Sequence, residues 1–251
     1  LGEQIDIHAG GEDLIFPHHE NEIAQSEAAN GKEFSRYWMH NGFLNIDNRK
    51  MSKSLGNFFT VREISEKYDL QVLRFFMLSA HYRSPLNFSA ELMEAAKSGL
   101  ERIITAADRL KFLMGSAKTE DMAETEAEKF AKSAEYVGNF ESAMDDDFNT
   151  ADAIAAVFDL VKFINTMTDE DSSKEYLENL FDRLVRLTEV LGIIVDKEDE
   201  ILDSDIEALI AERQAARKEK NFARADEIRD ELLAKGIILK DTREGVKWKR
   251  A

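Results

Sequence analysis

From Ser89 onward, apolar residues recur every three or four positions, as they do in a helix with one buried face. Ile103, Ala107 and Leu110 illustrate the spacing. The pattern predicts a helical bundle over 89–195 whose last helix ends at Gly192, because glycine is common just past a helix C-terminus. The bundle helices are predicted at 90–115, 124–145, 150–167 and 174–191.

In the first thirty residues the apolar positions have a different spacing from those after Ser89. Ile5 and Ile7 lie two apart, which predicts a strand, and the Gly10-Gly11 pair predicts a turn after it. A helix follows, with Pro17 in its first turn and Gly31 as its end signal. We therefore expect a strand–turn–helix unit at the start of the chain.

Three further signals organise residues 35 to 88. Asn41-Gly42 stands between apolar runs and predicts a hairpin or strand pair. Thr60 and Glu63 have the spacing of a capping box and predict the start of a short helix. The run from 70 to 82 predicts a second helix.

Past the bundle, the acidic stretch 195–205 lacks periodicity and is interpreted as a linker. Two helices, at 204–220 and 222–236, and a hairpin of 237–241 with 246–250 are predicted after it. The fold class is therefore α/β plus all-α, with a small α+β C-terminal domain. The "MDDDFNT" run, 144–150, is interpreted as an acid-rich helix start rather than a metal site.

Composition and charge narrow the class of protein. Of 251 residues, 43% are apolar and 33% charged, and no apolar run approaches the length of a membrane span, so we expect a soluble cytoplasmic protein that does not bind membranes. The absence of cysteine excludes disulfides and thiol nucleophiles within these residues. The net charge of −17 divides into −3 over 1–115, −19 over 116–212 and +5 over 213–251. A basic tail is thus hidden in an acidic total.

All five histidines fall in the first 81 residues, so we expect the chemistry there. His18 and Glu22 are four apart on a predicted helix and can approach one metal ion, although such a pair is also common as a surface contact. His8 either faces a ligand at the carboxyl edge of a parallel sheet or is a hydrogen-bonded core histidine. Gly10 and Gly11 either allow close approach of a ligand or form an ordinary turn.

The most specific motif is "RKMSKSLGN", residues 49–57. Its central five residues would occur by chance in a chain of this size about once in ten thousand. Lys50 and Lys53 can flank a polyphosphate as point charges while the serine hydroxyls donate hydrogen bonds. The alternative is a solvated basic loop.

This motif is the second signature of class I aminoacyl-tRNA synthetases, and several other stretches narrow the resemblance. Together they resemble cysteinyl-tRNA synthetases across nearly the whole chain. The stretches are "GGEDLIFPHHENEIAQSE", "LRFFMLSAHYRSPLNFS", "AMDDDFNTA" and "FARADEIRDELLAKGIILKDT".

The resemblance implies a domain order. The second half of a Rossmann-type catalytic domain spans 1–48, and the signature loop with the stem-contact region spans 49–88. The helical bundle follows at 89–195 and an anticodon-binding domain at 200–251. The family's first signature, His-Ile-Gly-His, has no match here. We therefore expect a truncated chain whose parent protein continues N-terminally, and we expect the truncated chain to be inactive by itself.

The resemblance also implies the chemistry of the parent enzyme. ATP, with magnesium, and cysteine form cysteinyl-adenylate, and the cysteinyl group then moves to the tRNA for cysteine. By the resemblance, Lys53 carries most of the stabilisation of the leaving pyrophosphate and Lys50 assists. Lys53, His8, Gly10, Gly11 and Asp13 contact the nucleotide or adenylate. Zinc is implied at His18 and Glu22, two of four ligands, with two cysteines upstream.

Other functions stay open at this point. A mycothiol-pathway cysteine ligase shares the loop and zinc site but uses a sugar amine as acceptor, and it would not need the C-terminal tail. A non-catalytic tRNA-binding module is the second alternative. In the tail, Trp248 between Lys247 and Lys249 suits unstacked RNA bases but is also compatible with a core tryptophan. We expect a monomer.

Overall fold

The structure is a computed structural model that describes residues 2–46, 49–51, 58–195, 203–218, 221–235, 237–242 and 245–250. These residues form two compact units, Leu1–Asp196 and Lys197–Ala251, which are described separately. Across the described residues, no helix combines the length and apolar character needed to cross a bilayer.

The first unit opens with a parallel β–α–β arrangement. Strand β1 (Ile5–Gly11) leads through a 3-10 turn and a π-helical turn into α1 (Glu20–Asn30), and β2 (Ser35–Asn41) then pairs with β1 in parallel. Gly31 adopts the left-handed conformation and ends α1 as predicted, with its N–H bonded to the carbonyl of Glu27. This arrangement is the unit from which Rossmann-type sheets are built.

Two local predictions in this region are wrong. Gly10 and Gly11 do not form a turn, because both belong to β1, where they pair with His40 and Asn41. Asn41-Gly42 does not close a hairpin either. β2 finds its partner 30 residues earlier in the chain, and the chain then passes into a second sheet.

That second sheet has the strand order β4-β3-β5. Strand β3 (Leu44–Ile46) pairs antiparallel with β4 (Arg49–Lys50) and parallel with β5 (Leu86–Phe88). Between β4 and β5 lie two helices, α2 (Val61–Ser65) and α3 (Leu70–Leu78). The predicted capping box of Thr60 and Glu63 is present at α2. The prediction for α3 was too long, because the chain leaves the helix at Ser79, whose hydroxyl donates to the carbonyl of Phe76.

The helical bundle matches its predicted pattern closely. One predicted helix is divided at Ser133, where Arg183 stacks on Phe130 and donates to its carbonyl at 2.9 Å. The buried residues of α3 and of the bundle form one continuous apolar core. The bundle helices are α4 (Ala90–Ser116), α5 (Glu124–Lys132), α6 (Ala134–Asp145), α7 (Thr150–Met167) and α8 (Lys174–Val190).

The "MDDDFNT" run leads into a helix as predicted, since Asn149 is the cap and Thr150 the first residue of α7. Asp145 ends α6, and Asp147 and Phe148 take left-handed backbone angles, φ 53° and 55°, in the turn before α7. The cap of α7 is Asn149, whose side chain accepts from the N–H of Asp152. The acid-rich entry differs from the prediction at Asp147, whose carboxylate accepts from the Tyr82 hydroxyl at 2.8 Å and pairs with Arg83.

The second unit has its own small core. Helices α9 (Asp203–Lys218) and α10 (Phe222–Ala234) precede the antiparallel hairpin of β6 (Ile237–Thr242) and β7 (Gly245–Arg250), which confirms the predicted element order. The buried members of its apolar cluster, among the described residues, are Ile210, Ile228, Leu232 and Ile237.

Candidate metal and nucleotide site

A cluster of histidines forms where β1, β2 and the start of α1 meet. Alternate residues of a strand share a face, so β1 presents His8 and Gly10 while β2 presents Trp38 and His40 in register beside them. His19, the residue before α1, and Glu22, in its first turn, complete the cluster.

Glu22 lies at the centre of the contacts. Its Oε2 is 2.7 Å from Nε2 of His8, and its Oε1 is 3.2 Å from Nε2 of His18. Oε2 is buried and forms no hydrogen bond among the described residues, although Nε2 of His8 lies 2.7 Å away. A buried carboxylate oxygen without a partner is costly unless a cation or donor meets it.

His19 is the most buried of the histidines, with 4% of its surface exposed. Its Nδ1 shares a 2.8 Å hydrogen bond with Nε2 of His40, which orients the ring and leaves Nε2 as the remaining ring nitrogen. Burial lowers the pKa of His19, and the neighbouring His40 and His8 lower it further. A lower pKa favours the neutral imidazole, which is the form that binds metal ions.

The cluster has the donor types and spacing of a metal site. One ligand atom each from His8, His19 and Glu22 lies within 4.8 Å of the others. Nitrogen from imidazole and oxygen from carboxylate suit zinc, which takes three protein ligands in catalytic sites and four in structural ones. The residues present therefore fit a zinc ion at this edge of the sheet.

Gly10 makes room for the cluster. A Cβ at this position would lie 2.9 Å from Cε1 and 3.0 Å from Nε2 of His19, closer than packing allows. The sequence predicted that Gly10 allows a ligand to approach the backbone closely. In the structure, the group that lies close to Gly10 is the imidazole of His19. Gly11 ends β1, and Asp13 lies in the 3-10 turn that follows.

The structure groups the predicted residues differently from the sequence pattern. His18 and Glu22 do contact each other, but His18 is 60% exposed at its side chain and stands outside the three-residue group. His8, predicted as a nucleotide contact, places its Nε2 2.7 Å from Oε2 of Glu22, and its contact with a nucleotide stays a prediction. Lys53 lies outside the described residues, and Lys50 belongs to β4 with its side chain also outside them.

Sequence reasoning missed His19, His40 and Trp38. The rings of Trp38 and His40 are stacked, with centroids 5.8 Å apart and planes 8° from parallel, and His8 meets Trp38 edge-on at 4.7 Å. The available signal was the i, i+2 spacing of Trp38 and His40. Its use required the knowledge that β1 and β2 are neighbours.

Comparison with known families divides the chain into three matched parts. Residues 1–98 match the catalytic domain of class I (C) tRNA synthetases. Residues 139–195 match the DALR domain, and residues 199–248 match the anticodon-binding domain of cysteinyl-tRNA ligase.

Curated relatives align with the whole chain. It is 68% identical to a cysteine–tRNA ligase of Lachnospira eligens, covering 100% of this chain and 53% of that protein. Identity is 58% to the ligase of Lachnoclostridium phytofermentans and 56% to that of Clostridioides difficile, each with 100% of this chain and 54% of the relative covered. The chain therefore spans about half the length of the curated relatives it matches.

Solved structures share the fold at low identity. A LeuRS from Agrobacterium radiobacter, in a complex with tRNA and LeuAMS, superposes with a TM-score of 0.61 and 19% identity over 77% of this chain and 28% of that one. The methionyl-tRNA synthetase of Mycobacterium tuberculosis bound by methionyl-adenylate gives 0.56 and 20% over 74% and 41%. The fold is thus that of class I tRNA synthetases, with a Rossmann-type portion followed by helical domains.

The three domain matches occur in chain order, and the relatives align from end to end of the sequence. The chain belongs to the cysteine–tRNA ligase family of class I aminoacyl-tRNA synthetases.

Proposed function

We propose that this chain takes part in the ATP-dependent ligation of cysteine to its tRNA by way of cysteinyl-adenylate. The structural observation that carries the proposal is a buried oxygen of Glu22 that lies beside two imidazoles and forms no hydrogen bond among the described residues, within the part that matches the catalytic domain. The 68% identity to a cysteine–tRNA ligase supports it across the whole chain.

Zinc in this site solves a problem of substrate choice. Cysteine and serine differ by one atom, and a hydrophobic pocket separates such substrates by only about 1–3 kcal/mol. Zinc prefers sulfur to a hydroxyl, so it would supply thiolate coordination as the basis of selection. From this chain, Glu22 and His18 are the ligands that the family resemblance implies, with two cysteines outside the chain.

A second donor set is favoured by geometry. His8, His19 and Glu22 form a three-residue group, and burial lowers the pKa of His19, whereas His18 is exposed. Glu22 belongs to both sets. In the first set, His18 and Glu22 bind the metal, and His8 and His19 are neighbours of Glu22 that do not. In the second set, His8, His19 and Glu22 bind the metal, and His18 does not.

Lys53 and Lys50 are proposed to act on ATP, which binds with magnesium. Their ammonium groups would stabilise the negative charge that builds on the leaving pyrophosphate, a contribution of positioning and electrostatics rather than covalent catalysis. His8, Gly10, Gly11 and Asp13 are proposed to line the adenylate at the same edge of the sheet. No covalent enzyme intermediate is needed.

The proposed acceptor is the tRNA for cysteine. The match of 199–248 to an anticodon-binding domain supports a tRNA over the sugar amine of the mycothiol pathway. The balance of +5 over 213–251 supplies positive charge for a phosphate backbone, and Trp248 between two lysines is proposed to stack on a base. We further propose a cytoplasmic monomer.

Metal analysis tests the zinc site. After chelation and dialysis against zinc, we expect the isolated chain to retain far less than one zinc, and a hybrid that adds the uncovered part of the Lachnospira eligens ligase to retain one. Glu22→Ala should abolish retention in the hybrid. If His18→Ala also abolishes it while His8→Ala does not, the first donor set is correct; the reverse result selects the second. Full retention in Glu22→Ala contradicts both.

Pyrophosphate exchange with cysteine and ATP tests the catalytic role in the same hybrid. Lys53→Ala should lower the exchange rate at least about a hundredfold while zinc stays bound. Lys97→Ala, the same change at an exposed position on α4, is the control and should leave the rate unchanged. A near-normal rate in Lys53→Ala would remove this lysine from the proposed role.

A further inference from the structure

The loop between α3 and β5, residues 79–85, crosses the end of β2. We call it the α3–β5 loop. The N–H of Gly42, the residue after β2, donates to the carbonyl of Tyr82 at 2.8 Å. A Cβ on Gly42 would lie 2.6–2.8 Å from backbone atoms of Ser84 and Pro85, so the two backbones are in direct contact. The loop therefore lies at the carboxyl end of β2, the edge of a parallel sheet at which Rossmann-type domains bind ligands.

Arg83, in this loop, is held from two sides. Its Nε donates to Oδ2 of Asp147, in the turn between α6 and α7, and its Cζ lies 5.3 Å from the centroid of the Tyr82 ring. The Tyr82 hydroxyl donates to Oδ1 of the same carboxylate at 2.8 Å, which fixes the carboxylate as well. The Arg83 side chain is still 55% exposed, and an arginine whose planar group is already oriented loses less freedom when it binds an anion.

The same turn exposes an aromatic ring one residue further on. Phe148 has a φ of 55°, a left-handed conformation that is rare for a bulky residue, and 53% of its surface is exposed. Strained backbone of this kind concentrates at functional sites. Asp145 and Asp146 are also exposed, and carboxylates accept hydrogen bonds from the amino groups of bases. An exposed ring, acceptors and a fixed arginine are the groups with which proteins bind unpaired nucleotides.

We propose that Arg83 and Phe148 bind the unpaired 3′ end of the tRNA, with Arg83 on a phosphate and the Phe148 ring against a base. Asp147 is a positioning residue for both, because its side chain orients Arg83 and its backbone precedes Phe148. The inference rests on the proposed function, which requires an end of the tRNA to reach the edge of the sheet where Gly10 and Gly11 are proposed to line the adenylate. Arg83 would supply a fixed cation there, beside carboxylates that repel unspecific contacts with an RNA backbone.

Two transcripts of the tRNA for cysteine, one complete and one without its unpaired 3′ nucleotides, separate this contact from the rest of the RNA. The unsubstituted chain should bind the complete transcript at least about tenfold more tightly. Arg83→Gln and Phe148→Leu should each raise the Kd for the complete transcript about fivefold and leave the Kd for the shortened one unchanged. Arg83→Gln should also reduce the slope of log Kd against log salt by about 0.7, as expected for one phosphate of a single strand.

Matched controls make the same changes elsewhere in the bundle. Arg186→Gln, at a side chain of α8 that is 75% exposed, and Phe112→Leu, at a residue of α4 that is 73% exposed, should leave both Kd values within about twofold. Thermal unfolding establishes that each variant is folded. Equal affinity of the unsubstituted chain for the two transcripts, an equal loss for both in the variants or an unchanged salt slope would overturn the inference while tRNA binding stands. Binding of neither transcript would contradict the proposed function itself.

Asp147→Asn tests the positioning role, because it keeps the size of the side chain and removes its charge. If Asp147 orients Arg83, the Kd for the complete transcript should rise about threefold and the Kd for the shortened one should stay unchanged. Tm should fall by less than about 3 °C, since the contact is exposed. A lower Kd for the complete transcript would show that Asp147 acts by repelling phosphate, and it would refute the positioning role.

Pyrophosphate exchange in the hybrid protein distinguishes RNA from ATP as the source of the phosphate. This reaction needs no tRNA, so Arg83→Gln should leave the KM for ATP within about twofold of the unsubstituted hybrid. A rise of about tenfold in that KM would place Arg83 on the nucleotide and overturn its assignment to the RNA.

Discussion

The histidine site and the helical bundle bury opposite kinds of side chain. Between residues 2 and 45, the buried residues are His19 and Ser35, both polar. In the bundle the fully buried residues are mostly large and apolar, among them Met93, Ile103 and Leu110. The bundle is therefore stabilised by its own apolar core. The site is held mainly by polar contacts, and even the apolar side chain of Ile7 in its strand β1 is 57% exposed.

The difference teaches where stability and chemistry reside in this chain. Apolar burial stabilises by roughly 25 cal/mol per Å², so the bundle's core can hold α3 firmly in place. The site keeps a carboxylate and several imidazoles in a partly buried place, where their polar atoms are available to a ligand. Such sites commonly depend on a rigid support for their geometry.

The largest expected effect comes from one substitution made in both regions. Ile103→Ala, in α4, removes a fully buried side chain and should lower the free energy of unfolding by about 2–5 kcal/mol. Ile7→Ala, in β1, should cost less than about 1 kcal/mol, because that side chain is already in water. Urea unfolding measures both, and equal losses would contradict the comparison.

Tyr176 tests a polar atom inside the apolar bundle. Its ring is fully buried, its hydroxyl has no hydrogen-bond partner among the described residues, and burial, aided by Glu126 and Asp169, raises its pKa to about 12. The folded state binds the phenol proton more tightly than the unfolded state does, so the contribution of this proton to the free energy of unfolding is complete below the ordinary pKa of 10. As pH rises towards 12, that contribution falls by about 2 kcal/mol.

Tyr176→Phe should therefore leave stability at pH 7 unchanged or slightly higher and make the free energy of unfolding less sensitive to pH above 10. Urea unfolding at pH 7 and pH 11 measures the difference. An identical alkaline loss in the variant would show that the phenol does not titrate as its burial requires.

Glu126 extends the comparison to a buried charged group within the bundle, because its carboxylate accepts hydrogen bonds at the starts of two helices. It accepts from the N–H of Ala123 at the start of α5 and from the N–H and hydroxyl of Ser173 at the start of α8. Burial alone would raise the pKa of Glu126, but these hydrogen bonds outweigh burial and lower it. Its contribution is therefore present above the ordinary pKa of 4.5 and is lost as pH falls through the lower folded value.

Glu126→Gln should lower the free energy of unfolding at pH 7 by about 1–2 kcal/mol and flatten its dependence on pH below 5. Glu128→Gln, an exposed position two residues along α5, is the matched control and should change neither. Equal behaviour of the two variants would show that the helix starts do not depend on this carboxylate.

The smallest effect is expected at Asp147, which joins the α6–α7 turn to Tyr82 and Arg83. The contacts are solvent-exposed, so Asp147→Ala should lower Tm by less than about 3 °C, and high salt should reduce the difference. Scanning calorimetry at low and high salt measures it. A large, salt-independent loss would show that this turn carries more of the bundle's stability than exposure suggests.

Local sequence signals predicted most of the elements. The three-and-four spacing after Ser89, the capping box at Thr60 and Glu63, and the glycines at 31 and 192 act over a few residues, so the chain alone determines them. The motif "RKMSKSLGN" identified the family for the same reason. The roles of its lysines remain predictions, since Lys53 and the side chain of Lys50 lie outside the described part of the chain.

Tertiary structure decided which partners those elements find. Four contacts join residues that are distant in sequence. Strand β2 pairs with β1, Glu22 groups with His8 and His19, Asp147 forms an ion pair with Arg83, and Arg74 packs against Gly192. Short-range periodicity carries no information about such distances. It specified the helices, the strands and the chemical types of the donors, whereas packing determined which donors meet, because only the folded chain brings separate segments within a few ångströms.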